Sequence, residues 1–429
     1  MENSVKNLIQ FIDHSPSCFH VIENAKKQFL EHGFIQLEEK EHWNLEEGKS
    51  YFVERNGSSM IAFHLPKKDF QGFHIVASHS DSPTYRIKEQ PEMSVEKHYT
   101  KLNIERYGGM IPETWFDRPL SVAGRIIIEE NGQIKDQLVN IDRDLMIIPN
   151  LAIHMSRSSN ESKQLNPQKD LLPLCGGNFT KDGFEEMIAK ESGVEKEDIL
   201  SYDLFLYNRM RGTTLGINEE FVAAPKLDDL ECAYSSIEGM LNAKLSKDYV
   251  TVCAVFDNEE VGSGTKQGAG STFFPEVLKR ISYLCGKNEE EYYMAVADSF
   301  MLSADNAHAV HPNYQDKTDP TNRPYINEGI VLKYNASQKY TTDANSAALV
   351  KYLCKKEKIK CQVFFNRSDM LGGSTLGNIL TGQVSIKAAD IGLPQLSMHS
   401  TYETAGCKDL DDMITLLGSF YELGKEVQI

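Results

Sequence analysis

Residues 252–264 read VCAVFDNEEVGSG, a short apolar run that ends abruptly in acidic residues. The run from Val252 to Phe256 is typical of a strand buried inside a sheet. Glu259 and Glu260 follow it, and two adjacent carboxylates at the end of a buried strand are unfavourable unless a positive group lies beside them. A bound cation, with one glutamate as ligand and the other as proton acceptor, would provide that group. The alternative is an ordinary acidic turn exposed to water.

The same arrangement, an apolar run followed by polar side chains that can bind metals, recurs along the chain. Residues 73–78 (FHIVAS) precede His79 and Asp81, and the run over residues 395–398 precedes His399. Because ligand sites in open α/β sheets lie at the carboxyl ends of the strands, we expect these side chains to converge at one edge. The full candidate set is His79, Asp81, Asp228, Glu259, Glu260, Asp305 and His399.

Two members of this set have a different local context. A strand is predicted over residues 292–297, and its polar exit leads to Asp305. Asp228 instead opens a predicted amphipathic helix, where a carboxylate is also favoured by the helix dipole. A simple helix cap is therefore the alternative reading of Asp228.

The side chains of the set suit divalent metal ions. Histidine, aspartate and glutamate together match a pair of borderline ions, namely zinc, cobalt or manganese. Asp81 follows His79 at a spacing that would let its carboxylate orient the imidazole. Any one of these histidines alone would be read as an ordinary core or surface residue, so the whole pattern carries the prediction of two divalent metal ions.

Composition excludes several classes of function. The formal net charge of the 429 residues is −17, and no basic stripe is present, which argues against nucleic-acid binding and a polybasic membrane anchor. No apolar run reaches about 18 residues, and the first residues lack the apolar core of a signal peptide. The eight cysteines form no C-x-x-C pair. We therefore expect a reduced, cytoplasmic protein with mostly buried thiols.

A change in the pattern of helical and strand-like segments along the sequence predicts two domains, one inserted into the other. Residues 1–92 and 223–429 alternate helical patterns with buried strands, as in an α/β domain with a mixed central sheet flanked by helices. Residues 93–222 are richer in strand patterns and include a hairpin across Asn131-Gly132. Within this second domain, the polar residues 156–169 are expected to form an exposed loop.

Five motifs in this sequence resemble those of the M18 metallopeptidases, the aspartyl aminopeptidase family. They are His79-Ser-Asp-Ser-Pro, Lys226-Leu-Asp-Asp, Asp257-Asn-Glu-Glu-Val-Gly-Ser, Ser303-Ala-Asp-Asn-Ala-His-Ala-Val-His-Pro-Asn-Tyr and Ser397-Met-His-Ser. The resemblance runs from the N-terminal helices to the last helix. It implies a zinc-exopeptidase-type catalytic domain, an inserted β-rich domain for oligomerisation, and removal of the N-terminal residue from peptides. Ser80 and Tyr402 depart from the residues most often found in this family.

The resemblance also implies a role for each site residue. His79 and Asp305 would bind one metal ion, Glu260 and His399 the other, and Asp228 both, with Glu259 as general base. Lys333 would face an acidic substrate side chain, and His154 would reach the site of a neighbouring subunit in a dimer-based homo-oligomer that can be a dodecamer. His308 and His311 would lie behind the ligands.

Two other functions remain open from the residues alone. A deacylase or carboxypeptidase on the same metal scaffold would need a cation for a substrate carboxylate, and Arg323 and Arg367 are the candidates. A non-catalytic assembly module is the other alternative. The presence of Glu259 argues against it, because loss of the base would be the simplest way to lose activity.

Overall fold

The computed structural model describes residues 2–155, 164–177 and 182–427. Ten α-helices lie within these ranges. They are α1 (Glu2–Asp13), α2 (Cys18–Glu31), α3 (Pro167–Asp170), α4 (Gly183–Ser192), α5 (Leu227–Asn242), α6 (Phe273–Leu284), α7 (Glu289–Ala297), α8 (Ala344–Glu357), α9 (Leu376–Gln383) and α10 (Cys407–Tyr421). None of the described helices is long and apolar enough to cross a membrane.

A mixed sheet of nine strands forms the centre of the described structure. Its strands are β1 (Ile35–Leu37), β2 (Lys49–Arg55), β3 (Ser59–Leu65), β4 (Phe73–His79), β13 (Val250–Phe256), β14 (Phe300–Ala304), β16 (Ile330–Lys333), β17 (Cys361–Phe364) and β18 (Lys387–Gly392). The spatial order is β1-β2-β3-β13-β4-β14-β18-β16-β17. Strands β13, β4, β14 and β18 run parallel, whereas β3 and β16 run antiparallel to their inner neighbours.

Helices cover both faces of this sheet, which explains why its central strands read as continuous apolar runs. Every residue of β4 and β13 is buried. Helices α1, α2, α5, α8 and α10 pack on one face and α6, α7 and α9 on the other, because alternate strand side chains enter two separate cores. Cys253 and Val255 of β13 enter the first core, and Val252 and Ala254 enter the second.

Two smaller sheets complete the described architecture. One contains β5 (Thr84–Val95), β6 (Tyr99–Tyr107), β7 (Leu120–Glu130), β8 (Gln133–Asn140), β9 (Leu174–Gly176) and β10 (Ile199–Asn208), in the order β8-β7-β10-β5-β6-β9. It has its own apolar core. The other contains β11 (Thr213–Leu215), β12 (Phe221–Ala224), β15 (Ala307–His308), β19 (Pro394–Leu396) and β20 (Glu403–Gly406), in the order β11-β12-β20-β19-β15.

One predicted element has the wrong type. Residues 292–297, predicted as a strand, lie in helix α7, and the strand β14 comes directly afterwards. The helix begins with a capping box: the Asn288 side chain accepts from the backbone N–H of Glu291, whose carboxylate accepts from the backbone N–H of Asn288. Buried Tyr292, Ala295 and Val296 have helical spacing. The apolar run was too short for its periodicity to separate strand from helix.

The long polar loop predicted over residues 156–169 lies largely outside the described residues. Its last part, from Pro167 to Asp170, is the short helix α3, which begins where the Asn166 side chain accepts from the Gln168 backbone N–H. All eight cysteines lie in the described ranges and none is in a disulfide. The cytoplasmic location and the domain division at residues 93 and 222 stay predictions.

Candidate active site and metal centre

Three adjacent parallel strands bring residues from distant parts of the chain to one edge of the central sheet. β13 and β4 pair in parallel so that Phe256 lies beside His79, and β14 lies on the other side of β4. The residues that follow these strands, including Glu259 and Asp305, therefore meet at the carboxyl edge. His399 reaches the same place from the turn after β19, and Asp228 from the beginning of α5.

Asp228 lies at the centre of this cluster, between two histidines. Its Oδ1 atom is 3.6 Å from Nε2 of His79, and its Oδ2 atom is 3.3 Å from Nε2 of His399. The same His399 nitrogen lies 3.4 Å from Oε2 of Glu260. The two oxygens of one carboxylate therefore face two separate groups of donor atoms.

Three overlapping groups of donor atoms lie close enough together to hold metal ions. Within each group the donor atoms are all within 4.8 Å of one another. The groups are His79 with Asp228, Asp229 and Asp305; His79 with Glu259 and Glu260; and Asp228 with Glu260 and His399. Imidazole nitrogens and carboxylate oxygens are the donors that zinc and similar divalent ions accept. The donor set therefore fits the metal ions that the sequence predicts.

The electrostatics of the cluster also fit cations. Burial raises the pKa of Glu259 to about 8; the charge of His79 opposes this shift, whereas those of Asp305, Asp81 and Asp228 add to it. Burial and the charge of Asp228 likewise raise the pKa of Glu260 well above its ordinary value. Carboxylates packed this closely are unfavourable in the ionised form without a neighbouring positive charge, which a bound divalent ion would provide.

Asp81 holds the turn that carries the two glutamates. Its Oδ1 atom accepts from the backbone N–H of Glu259, and its Oδ2 atom accepts from the backbone N–H of Glu260, both at 3.1 Å. Tyr107 donates its hydroxyl to Oδ2 at 2.7 Å. Nδ1 of His79 lies 3.1 Å from the carbonyl oxygen of Asp81 and 3.4 Å from Oδ1. Asp81 therefore contacts both the imidazole and the glutamate turn.

Lys333, at the end of β16, is buried against Asp305. Only 2% of its surface is exposed. Its ammonium donates to the carbonyl oxygen of Asp305 at 2.6 Å, to Oδ1 of Asp305 at 3.3 Å and to the carbonyl oxygen of Asn306 at 3.2 Å. It also lies 5.3 Å from the centre of the Tyr340 ring. Lys333 and Tyr340 line a cavity of about 340 Å³ that opens onto the cluster.

Three residues that contact the cluster are absent from the predicted set. Asp229 is fully buried and accepts from the backbone N–H of His79 at 3.1 Å. Glu403 accepts from the backbone N–H groups of Asp228 and His399. The third is Tyr107. Asp229 adjoins Asp228 in the sequence, and this adjacency was a usable signal, whereas nothing local in the sequence points to Glu403 or Tyr107.

The other predicted residues do not all lie at the cavity. His154 is exposed on a short 3-10 helix, Ile153–Met155, and is not among the described residues that line it. His308 lines the cavity, whereas His311 packs against Tyr314, with 4.9 Å between ring centres. Arg367 pairs with Asp369 at 2.7 Å.

Comparisons with known proteins agree on one family. The family described as Aminopeptidase I zinc metalloprotease (M18) matches residues 11–421. A probable M18 family aminopeptidase 2 of Clostridium acetobutylicum is 45% identical over 429 residues, covering 97% of this chain and 98% of the relative.

Solved structures show the same fold. A chain in the cryo-EM structure of the Ape4 and Nbr1 complex has a TM-score of 0.95 and 36% identity, covering 98% of this chain and 85% of that one. A chain of the S. cerevisiae mApe1 dodecamer has a TM-score of 0.85 and 26% identity, covering 98% and 97%. This chain therefore belongs to the M18 family of zinc metallopeptidases and is a metallo-aminopeptidase.

Proposed function

We propose that this aminopeptidase uses two divalent metal ions and prefers peptides with an acidic N-terminal residue. The position of Asp228 carries the dinuclear part of the proposal. One of its oxygens faces His79 and the other faces His399, so a single carboxylate can serve two ions at once. The overlap of the donor groups at Asp228 supports the same assignment.

Each ion would have its own ligands besides the shared carboxylate. His79 and Asp305 would hold one ion, and Glu260 and His399 the other. Zinc suits these nitrogen and oxygen donors, and cobalt or manganese are alternatives. When bound, such ions lower the pKa of water and polarise a carbonyl group.

Glu259 would move the proton in this reaction. It lines the cavity and shares a donor group with His79 and Glu260, but it is absent from the group of Asp228, Glu260 and His399. Its carboxylate would accept a proton from the attacking water as the new C–O bond forms. It would then donate that proton to the peptide nitrogen as the C–N bond breaks, releasing the N-terminal amino acid and a shortened peptide.

The substitution Glu259→Gln tests this role. We expect normal metal content and a loss of turnover of about 10²- to 10⁴-fold, the usual contribution of a general base. Glu260→Gln is the matched control, because the same chemical change one residue away should lower metal content instead. A Glu259→Gln enzyme that keeps more than about a tenth of its activity would contradict the assignment.

The shared ligand is tested by counting metal ions. Asp228→Ala should lower occupancy at both sites, whereas His399→Ala should lower it at one site. Metal analysis of the purified variants gives the number of ions per chain. Two ions retained by Asp228→Ala would exclude a shared role for this carboxylate.

Lys333 supports the preference for an acidic N-terminal residue. It is the only lysine or arginine among the described residues that line the cavity. Its ammonium donates to two oxygens of Asp305 and to one of Asn306, so a substrate carboxylate would share the ammonium with them. A charge-assisted hydrogen bond is worth about 1.5–3 kcal/mol, which corresponds to about 10- to 150-fold in kcat/KM.

A panel of chromogenic aminoacyl substrates tests this preference. Lys333→Met should reduce the ratio of kcat/KM for Asp or Glu substrates over neutral ones by about 10- to 150-fold. Because the ratio compares two substrates on one variant, a general loss of folded enzyme cancels. Equal losses on all substrates would show that Lys333 does not select the substrate.

The two arginines that a deacylase or carboxypeptidase would need lie elsewhere. Arg367 is engaged with Asp369, and Arg323 donates to the carbonyl oxygens of Asp319 and Gln315. Neither is among the described residues that line the cavity. Neither arginine can therefore supply, from its present position, the cation that a deacylase or carboxypeptidase would need in this cavity.

We also propose that residues 93–222 form an inserted oligomerisation domain and that the catalytic unit is at least a dimer. Leu151, Ile153 and Met155 around His154 are large apolar residues with 47–77% of their surfaces exposed. Exposed apolar surface of this kind commonly becomes buried against another copy of a chain. The S. cerevisiae relative is described as a dodecamer, and a closed homo-oligomer of this type is proposed here.

Subunit mixing tests whether His154 acts in a neighbouring site. Inactive Glu259→Gln and inactive His154→Ala subunits are combined under conditions that allow exchange. Sites that pair an intact Glu259 with an intact His154 from the neighbour should regain activity. If exchange is demonstrated and activity does not return, His154 does not act across the interface.

A further inference from the structure

Glu403 connects two chain segments that lie far apart in the sequence. It begins β20, and only 1% of its surface is exposed. Its Oε1 atom accepts from the backbone N–H of His399 at 2.7 Å, and its Oε2 atom accepts from the backbone N–H of Asp228 at 3.0 Å. One carboxylate therefore fixes the distance between these two backbone positions, one of which is 175 residues away in sequence.

Asp228 and His399, which Glu403 holds through their backbone N–H groups, also contact each other through their side chains. Nε2 of His399 lies 3.3 Å from Oδ2 of Asp228. The backbone nitrogen is bonded directly to the Cα atom. A hydrogen bond that holds the N–H group therefore also restricts the position of the Cα atom and of the side chain attached to it. Moving either N–H would change the separation of the imidazole and the carboxylate.

The turn around His399 needs such support. His399 has a φ of 67° and Ser397 a φ of 60°, and both are non-glycine residues in the left-handed region. This conformation is unfavourable for side chains of this type and persists where surrounding contacts hold it. The hydrogen bond from the Ser400 backbone N–H to the Ser397 carbonyl, at 2.9 Å, and the one from His399 to Glu403 provide those contacts.

Glu403 does not contribute donor atoms to the metal centre itself. It is in none of the donor groups found among the described residues. Its oxygens accept from backbone N–H groups, and it is not among the described residues that line the 340 Å³ cavity. Any effect on metal binding must therefore act through Asp228 and His399.

We propose that Glu403 is a positioning residue, which sets the geometry of Asp228 and His399 and thereby the affinity of the metal site they form with Glu260. This inference rests on the proposed dinuclear function. Residues that orient metal ligands typically change metal affinity by about 10- to 100-fold when they are substituted. The site of His79 and Asp305 shares only Asp228 with this pair, so its affinity should change less.

The test compares two substitutions of Glu403 with a matched control. Glu403→Gln keeps the shape but replaces one acceptor oxygen with an NH₂ group, which would face a backbone N–H donor. Glu403→Asp keeps the carboxyl group but shortens the side chain and is the second variant. The control is Asp409→Asn, because Asp409 is also fully buried and accepts from two backbone N–H groups, those of Asn327 and Gly329, at 2.6 and 2.8 Å.

Zinc is titrated into metal-stripped protein in competition with a chelator, and thermal unfolding of the stripped protein is measured alongside. We expect Glu403→Gln and Glu403→Asp to weaken one of two binding steps by about 10- to 100-fold. Asp409→Asn should lower the unfolding temperature and leave both steps unchanged.

Each outcome decides the inference. If the wild-type protein binds zinc in two steps and both Glu403 variants bind it with unchanged affinities, the positioning role is overturned. The dinuclear function would then remain intact. Failure of the wild-type protein to bind two zinc ions would overturn the dinuclear function and this inference with it.

Discussion

Replacing Lys333 with methionine should destabilise the metal-free protein strongly. Methionine keeps most of the length and apolar packing of the lysine side chain but removes its donors. The ammonium donates to the carbonyl oxygen and Oδ1 of Asp305 and to the carbonyl oxygen of Asn306, and only 2% of Lys333 is exposed. Lys333→Met therefore leaves buried acceptors without their donor and the Asp305 carboxylate without its cation.

The magnitude follows from the geometry of this ion pair. Burial alone would lower the pKa of Lys333, but the charge of Asp305, together with those of Tyr340 and Asp390, outweighs burial and raises it, so the side chain is charged at neutral pH. At the 3.3 Å separation of Nζ and Oδ1, the Coulomb energy is about 5 kcal/mol for an effective dielectric constant of about 20. Removing one partner of a buried pair typically costs about 3–5 kcal/mol. We expect a loss of this size.

Urea unfolding in the presence of a chelator measures this loss, because bound metal would partly compensate the charge of Asp305. Lys356→Met is the control: the Lys356 side chain is 46% exposed and lies 3.3 Å from Glu357. An exposed ion pair contributes about 0–1 kcal/mol, so this variant should unfold near the wild-type midpoint. A Lys333→Met protein within about 1 kcal/mol of wild type would refute the argument that this ion pair stabilises the cavity wall.

Three further measurements test other parts of the structure. A Cβ added at Gly392 would lie 2.1 Å from the carbonyl oxygen of Asp305, so Gly392→Ala should lower the unfolding temperature and weaken zinc binding. The control is Gly382→Ala, where the added Cβ would have no atom within 4 Å, and this variant should be neutral or stabilising. Burial lowers the pKa of His74 from 6.5 to about 3. Between these pH values only the unfolded chain binds a proton at His74, so the folded state loses stability as the pH falls. His74→Phe should therefore remove about 1.4 kcal/mol of destabilisation for each pH unit between 6.5 and about 3, measured by urea unfolding. Adding zinc to stripped enzyme at about 100 times its dissociation constant should stabilise the fold by about 2.7 kcal/mol per site, measured as a shift in unfolding temperature.

Much of the fold and of the candidate site follows from local sequence patterns. Strands β4 and β13 are buried on both faces, so they read as unbroken apolar runs, and the polar residues after them mark where each strand ends. His79 and Glu259 could be placed near each other for this reason. Helix α7 was missed because a run of six residues has too little periodicity, although the capping box of Asn288 and Glu291 was present in the sequence.

Tertiary structure alone decided which groups surround the predicted cluster. Glu403 contacts the backbone of Asp228, and Lys333 contacts Asp305, across large separations in sequence. Such contacts depend on how sheets and helices pack, and residue type does not specify them. The sequence by itself determined the chemistry of the site, because donor atoms belong to particular side chains at strand ends. Their distances, burial and hydrogen-bonding partners arise only when the three sheets come together, since each depends on atoms from several distant segments at once.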